Sequence, residues 1–330
     1  MTAFLKKNWF FAAILVVVLM AFGIPDLGQW AREYSVLNVG IFLAFFITGL
    51  TLETSSIGTE LRRFRAPAAA MISSLVVIPL LFWSLAVLTL PPEFVIGVCI
   101  IATAPVTVAA GTVMTYLGRG NVSLSLFICV LGNFLAVFTI PFSLKVLLSF
   151  GEDVELPVLH MLSGLALTVL VPTVLGQLVR PLVKQRLAPY RISFSIFQQC
   201  VVLLIIFNAV ASSADRILQA GTAVIMVLAF MIVLHSLVLA MNYGVSRLIG
   251  LDPPSTTAFT IHTSQKTLTV SYLVWAGYFA TQYPMALIPG IGYHLTQTIM
   301  DSIVAERFRA ASDRKALATK RGDRIPEVSS

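Results

Sequence analysis

Charged residues are scarce in this chain. Asp, Glu, Lys and Arg make up only 11% of its 330 residues, whereas 58% are hydrophobic and the mean hydropathy is +0.91. Soluble domains carry about 25% charged residues. The composition therefore excludes an ordinary soluble domain and predicts an integral membrane protein that has the lipid bilayer as a partner.

Chemically reactive side chains are also few within the apolar part of the chain. The cysteines, Cys99, Cys129 and Cys200, match no metal spacing and are interpreted as core residues. The acidic residues nearest to the middle of an apolar run are Glu53 and Asp301, close to the ends of two runs. These shortages argue against an enzyme and against a cofactor. The sequence contains no selectivity-filter run, which argues against a channel. The basic residues show no aromatic or glycine-rich pattern, which argues against a nucleic-acid partner.

Long apolar runs dominate what is present. A run of about 18 or more residues can cross a bilayer as a helix, and ten such runs are separated by charged or Pro/Gly clusters. We therefore predict an all-α, polytopic protein that is a single membrane unit with ten transmembrane helices, followed by a frayed basic tail at residues 306–330. The predicted spans are residues 8–25, 37–54, 68–90, 95–117, 121–148, 157–179, 192–213, 221–248, 256–279 and 285–305.

The basic residues favour one side of the membrane. With ten spans both termini share a side, which holds 18 of the 22 Lys and Arg residues against 3 on the opposite side. The positive-inside rule then predicts cytoplasmic termini in an inner or plasma membrane. The one basic residue left over is Lys266, in the middle of the ninth span.

Polar stretches interrupt the fourth and ninth spans. These are the fourth spans of each half if the chain divides near residue 155. Because each half holds an odd number of spans, the second half inserts upside down relative to the first. We therefore predict two inverted five-helix repeats whose broken helices 4 and 9 cross near the middle of the bilayer and form a binding site.

In the fourth span, Pro105 predicts a kink or an unwound turn, because proline removes a backbone hydrogen bond. Thr107, Gly111, Thr112 and Thr115 follow at spacings that place them on one helix face. Freed carbonyls, a helix N-terminus and hydroxyls can bind either a cation or an anionic group. The alternative is a kinked span whose threonines bond only to their own backbone.

The ninth span has no proline, but its polar run competes for backbone hydrogen bonds. The run consists of Thr263, Ser264, Gln265, Lys266 and Thr267. A charge at the centre of a span costs roughly 2.5–3.5 kcal/mol, so Lys266 is predicted to face a partner, a cavity or a ligand. It either contacts an anionic substrate directly or serves as a fixed positive charge where a relative would bind a cation.

Two motifs resemble a known family. The segment from Pro105 to Val122, with Met114-Thr115-Tyr116-Leu117 and then Gly118-Arg119-Gly120-Asn121, resembles the fourth span and following loop of the bile acid:sodium symporter family. Ser264-Gln265-Lys266-Thr267-Leu268 is similar to the ninth-span motif of its SBF-like subgroup. The resemblance implies a panel domain of spans 1, 2, 6 and 7 and a core domain of spans 3, 4, 5, 8, 9 and 10. Substrate would bind between them and move by alternating access.

The resemblance also implies sodium binding, with one departure. The glutamate that better-known members place four residues before the glutamine is Ile261 here. Because sodium sites favour oxygen ligands and charge compensation, we hypothesise that the Lys266 ammonium occupies the place of a bound cation, which would make transport sodium-independent or proton-linked. The sodium ligands that the resemblance implies are Ser74, Gly111, Thr112, Asn133 and Gln265.

Other polar residues have weaker patterns. On the tenth span, His294, Gln297 and Asp301 form one stripe that is either a proton path or a packing seam. His160 and His235 look isolated. Three residues of the seventh span are candidates to line the crevice: Gln198, Gln199 and Asn208.

The sequence thus predicts a secondary active transporter, a symporter-like carrier for a small organic anion. The alternative is a regulatory or scaffolding membrane protein that keeps the fold without transport. We make no prediction of the oligomeric state.

Overall fold

A computed structural model describes residues 2–28, 36–52, 64–107, 109–149 and 156–320. Within these ranges the protein is helical and contains no β-strand, which confirms the all-α prediction. Glu53 and residues 321–330 lie outside the described residues. The main helices are α1 (Thr2–Gly23), α2 (Val36–Thr51), α3 (Arg65–Thr89), α4 (Pro92–Thr103), α5 (Ala109–Leu117), α6 (Val122–Ser149), α7 (Val158–Arg186), α8 (Arg191–Ala220), α9 (Thr222–Leu248), α10 (Pro253–Ser264), α11 (Leu268–Tyr278) and α12 (Ile288–Lys320).

Helix length and composition support membrane insertion. Five helices of the described chain are long and apolar enough to cross a bilayer, namely α3, α6, α7, α8 and α9. Shorter apolar helices are found at Ala12–Gly23 in α1, in α2 and in α4. The protein is therefore an integral membrane protein, and its fourth and ninth predicted spans are each built from two short helices rather than one.

The two interruptions arise differently. Helix α4 ends at Thr103 because Ala104 precedes proline and adopts extended backbone, with ψ at 151°. Helix α10 ends at Ser264 without any proline, and Gln265 is extended with ψ also at 151°. The backbone amide of Thr267 donates to the Pro105 carbonyl at 2.9 Å. The two breaks therefore touch each other.

The helices pack in two sets. Helix α2 lies along α7 and α8, and α1 lies along α8. The other helices pack mainly with one another: α3 with α4 and α6, α9 with α10 and α12, and α5 with α6, α10 and α12. The broken segments belong to this second set, and α11 contacts α8 of the first.

The predicted frayed tail is wrong for residues 306–320, because α12 runs on to Lys320. Two ion pairs accompany the extension. Arg309 contacts Glu306 one turn away at 3.2 Å, and Arg119 in the loop after α5 contacts Asp313 at 3.4 Å. The side chains after residue 305 are mostly exposed, so the fall in hydropathy there reflects exposure and does not mark the end of the helix.

Close packing of α2 on α7 requires glycine. A Cβ at Gly49 would collide with the Thr173 carbonyl, and one at Gly176 would collide with the Phe46 carbonyl. Small residues allow such backbone approach between membrane helices. The Gln177 amide also donates to the Gly49 carbonyl at 2.5 Å, which joins the two helices by a hydrogen bond.

Gly176→Ala should therefore destabilise the protein by about 1–3 kcal/mol through overpacking. Thermal unfolding of the purified chain in detergent would measure the effect. Gly244→Ala is the matched control, because a Cβ there meets nothing within 4 Å, and it should be neutral or stabilise by about 0.4–1 kcal/mol. Equal melting temperatures for the two variants would contradict this packing.

Candidate functional site

Lys266 is fully buried at the point where the breaks meet, with 0% of its surface exposed. Its Nζ donates to the Ser74 carbonyl at 2.6 Å, to the Ser74 hydroxyl at 3.1 Å and to the Ala104 carbonyl at 3.0 Å. An ammonium has three N–H donors. Its donors are therefore matched by three oxygen acceptors, and no carboxylate pairs with it among the described residues.

Local backbone irregularities present these acceptors. Residues Ser73–Val77 of α3 form a π-helical turn, and such turns recur at functional sites because they disturb the regular hydrogen-bond ladder. Ala104 follows the last residue of α4. A helix C-terminus carries partial negative charge, which favours a cation.

Gln297 of α12 holds the backbone of the broken segment. Its Oε1 accepts from the Lys266 amide at 2.8 Å, and its Nε2 donates to the Lys266 carbonyl at 2.8 Å. These two bonds replace the helical bonds that the break removes. The predicted stripe on the tenth span therefore contacts the site.

Gln265 connects the two breaks to α12. Its Oε1 accepts from the Thr107 hydroxyl, and its Nε2 donates to Asp301 Oδ2 at 2.7 Å. Thr107 Oγ1 also accepts from the Gly111 amide at 3.1 Å. Both ends of the Gln265 amide are thus engaged by the protein.

The interpretation of His235 as isolated is wrong, because it contacts Asp301 of α12. Both side chains are fully buried, and His235 Nε2 lies 2.8 Å from Asp301 Oδ1. Asp301 lies well inside α12 because that helix continues far beyond it. His235 finds its partner across two helices that are distant in sequence, which no local spacing reveals.

The hydrogen-bond partners of His235, Asp301 and Tyr293 determine where the protons of this cluster lie. The Tyr293 hydroxyl donates to the Ser264 carbonyl at 2.7 Å, so it must accept from His235 Nδ1 at 3.0 Å. With a proton on Nδ1, the contact between His235 Nε2 and Asp301 needs one more proton between them. The pair therefore carries one shared proton and is neutral as a whole.

His262 is a site residue that sequence reasoning missed. Its Nε2 lies 2.7 Å from the Thr107 carbonyl, and its Nδ1 lies 2.5 Å from the Ser125 hydroxyl. The ring packs on Gly111, where a Cβ would collide with it. The Ser125 hydroxyl also reaches Thr112 Oγ1 at 3.4 Å. The signal was available in principle, since a histidine lies in the middle of an apolar span.

The remaining candidates are buried around this centre. Asn133 donates to the Val106 carbonyl at 3.2 Å, and its Oδ1 has no partner among the described residues. The hydroxyls of Thr115 and Thr263 are also buried without a described partner. Ser264 accepts from Asn242 at 2.8 Å. These residues surround the breaks and do not line the cavity next to them.

A cavity of about 220 Å³ lies beside the breaks, between the two sets of helices. Gln198 and Gln199 border it as predicted, whereas Asn208 does not and instead donates to the Gly28 carbonyl at 2.7 Å. Among the candidates from the broken segments, Thr107 and Thr267 reach it. The lining is Phe10, Ala44, Phe45, Thr48, Thr107, Ala110, Val113, Met114, Ser195, Gln198, Gln199, Val202, Thr267, Leu268, Thr269, His294 and Thr298.

Comparison with known proteins assigns the family. Residues 8–310 match the model of the SBF-like CPA transporter family. The chain belongs to the SBF-like CPA transporter family. It is 28% identical over 340 aligned positions to sodium/bile acid cotransporter 7-B of Xenopus laevis, covering 98% of each chain. It is 29% identical over 317 positions to the probable chloroplastic sodium/metabolite cotransporter BASS4 of Arabidopsis thaliana, covering 92% of this chain and 72% of that protein.

Two of the five sodium ligands that the resemblance implies, Ser74 and Gln265, are engaged by protein donors in this SBF-like transporter. Both Ser74 oxygens accept from Lys266, and the Gln265 oxygen accepts from Thr107. Thr112 Oγ1 lies 3.4 Å from the Ser125 hydroxyl. The site therefore holds a buried ammonium of its own, bonded to oxygens of one of these ligands.

The neutral His235–Asp301 pair predicts the result of two substitutions. Asp301→Asn should change stability little, because its amide can donate to His235 Nε2 while its oxygen still accepts from Gln265. Asp301→Ala should cost about 2–5 kcal/mol, because it leaves buried polar groups without partners. Thermal unfolding of the purified protein would compare them.

Asp313→Ala provides the control for that comparison. Its carboxylate forms an exposed ion pair, with half of its side-chain surface accessible at 50%, and such pairs contribute about 0–1 kcal/mol. If Asp301→Ala is as mild as this control, or Asp301→Asn as severe as Asp301→Ala, the hydrogen-bond assignment is wrong.

Proposed function

We propose that this protein is a secondary active transporter that moves a small organic anion by alternating access, with the Lys266 ammonium as a fixed substitute for a co-transported cation. The observation that carries the proposal is that two broken helices meet at Lys266 and border a cavity between two sets of helices. Membership in a transporter family agrees with it.

The packing supports a division into two moving parts. Helices α1, α2, α7 and α8 would form the panel, and the others would form the core, as two inverted repeats. Contacts between the sets include α6 with α7 and α8 with α11. In this arrangement the ten-span count follows from pairing α4 with α5 and α10 with α11, and both termini face the cytoplasm.

The cavity is the proposed substrate site because it lies where the two parts meet. Helix α11 begins there, at Leu268, and helix N-termini attract anions. Lys266 does not itself border the cavity. Its ammonium therefore does not contact a substrate that is bound in this cavity.

The role of Lys266 follows from its partners. Carbonyl and hydroxyl oxygens are the ligands that bind hard cations, and here an ammonium bonds to those of Ser74 and Ala104. The relatives are named as sodium cotransporters, so sodium coupling through the other candidate ligands is the competing proposal. It differs in one measurable respect, the requirement for external sodium.

Uptake of radiolabelled hexane-1-sulfonate into proteoliposomes would test this role. Wild-type uptake should be unchanged when sodium is replaced by potassium. Lys266→Ala should either lower uptake by about 10- to 100-fold, the cost of losing charged hydrogen bonds, or make it depend on sodium, since the freed oxygens can then accept an ion. Lys145→Ala is the control, because its side chain is exposed on α6, and it should behave as the wild type.

The fixed-cation role, sodium coupling and a scaffolding role predict different results in this uptake assay. Sodium-dependent uptake by the wild type that survives Lys266→Ala would contradict the fixed-cation role and favour the competing proposal. A folded wild-type protein that accumulates no substrate from a broad anion panel would instead favour a regulatory or scaffolding protein on the same fold.

A further inference from the structure

The tautomer of His294 can be read from its neighbours. Gln297 faces Lys266 with its oxygen toward the Lys266 amide and its nitrogen toward the Lys266 carbonyl. The same Gln297 nitrogen lies 3.1 Å from His294 Nδ1. Because an amide nitrogen only donates, Nδ1 must accept, and the proton of the neutral ring is therefore on Nε2.

That Nε2–H is a free donor at the cavity. His294 is 8% exposed and borders the cavity. Its Nε2 has no hydrogen-bond partner among the described residues, whereas Nδ1 is occupied by Gln297. This N–H can therefore donate to a ligand in the cavity.

A helix N-terminus opens at the same cavity. Helix α11 has eleven residues, and Thr267 before it makes no side-chain cap. Thr267, Leu268 and Thr269 all border the cavity. The first amides of a helix donate outward and carry partial positive charge, so they favour the same kind of ligand atom as His294 Nε2–H.

The rest of the lining limits the ligand. It contains no Asp, Glu, Lys or Arg among the described residues, so an anion would be held by oriented dipoles and not by a salt bridge. Its volume of about 220 Å³ is below the roughly 300–1,000 Å³ of pockets for drug-sized ligands. Apolar side chains such as Phe45 and Val113 would receive a short hydrocarbon part.

Resting on the proposed transport function, we propose that His294 Nε2–H and the N-terminus of α11 together bind the carboxylate or sulfonate head of a small amphipathic monoanion. His294 is the residue that selects the anion over a neutral molecule of the same shape. The site takes a short-chain anion, not one of steroid size.

Calorimetric binding to the purified full chain tests this with a matched pair of probes. Hexane-1-sulfonate is anionic, and hexane-1-sulfonamide has nearly the same shape but is neutral. The wild type should bind the sulfonate at least about tenfold more tightly, and taurocholate, an anion of steroid size, should not bind measurably. His294→Phe should weaken sulfonate binding by about 10- to 100-fold, the cost of one hydrogen bond to a charged group.

Two further variants serve as controls for His294→Phe. His294→Gln retains an N–H donor and should keep sulfonate affinity within about threefold, whether or not His294→Phe folds. His160→Phe changes a histidine that does not border the cavity and should leave binding unchanged. A donor-specific loss of anion preference is not expected from a purely structural role.

Equal preference for the sulfonate in wild type and His294→Phe would overturn this inference, as would tight binding of taurocholate. If sulfonate uptake into liposomes persists in that case, the proposed transport function still stands. A wild type that neither binds nor transports any of the three probes would contradict the proposed transport of a small anion and this inference with it.

Discussion

One buried interaction organises the centre of the molecule, the bonding of the Lys266 ammonium to oxygens of Ser74 and Ala104. An unpaired charge at this depth would cost several kcal/mol, as would unpaired carbonyls at a chain break. The bonds between the ammonium and the carbonyls remove both of these free-energy penalties. The π turn of α3 and the end of α4 supply free acceptors, and the ammonium supplies the donors that they need. Neither the buried ammonium nor the free carbonyls would therefore be stable without the other.

Neutral amides extend this centre to the neighbouring helices. Gln297 replaces the lost backbone bonds of Lys266, and Gln265 joins Thr107 to Asp301. Because each amide has a donor and an acceptor side, the direction of every bond is fixed once one is known. A buried polar network of this kind stabilises a structure only when all its members are satisfied. The two breaks and α12 are therefore expected to respond to mutation as a unit.

The sequence predicts the burial of Lys266 and the break at Pro105, but it does not predict the partners of Lys266. The burial of Lys266 and the interruption at Pro105 follow from local chemistry, namely a charge far from any span end and a proline within a helix. The partners of Lys266 do not, because Ser74 lies 192 positions away on another helix. The extent of α12 was misjudged because hydropathy falls after residue 305, whereas the helix continues to Lys320.

A fixed ammonium has a consequence for energy coupling in the proposed carrier. Ser74, Ala104 and Lys266 all lie in the proposed core, so the ammonium would keep its bonds if the core moved against α1, α2, α7 and α8. In the proposed carrier it would not be released during a cycle, unlike a transported ion, which must lose and regain its water each time. A charge that does not exchange with solution cannot transmit an ion gradient. Uphill transport would then need a different coupling ion or a group that exchanges its proton.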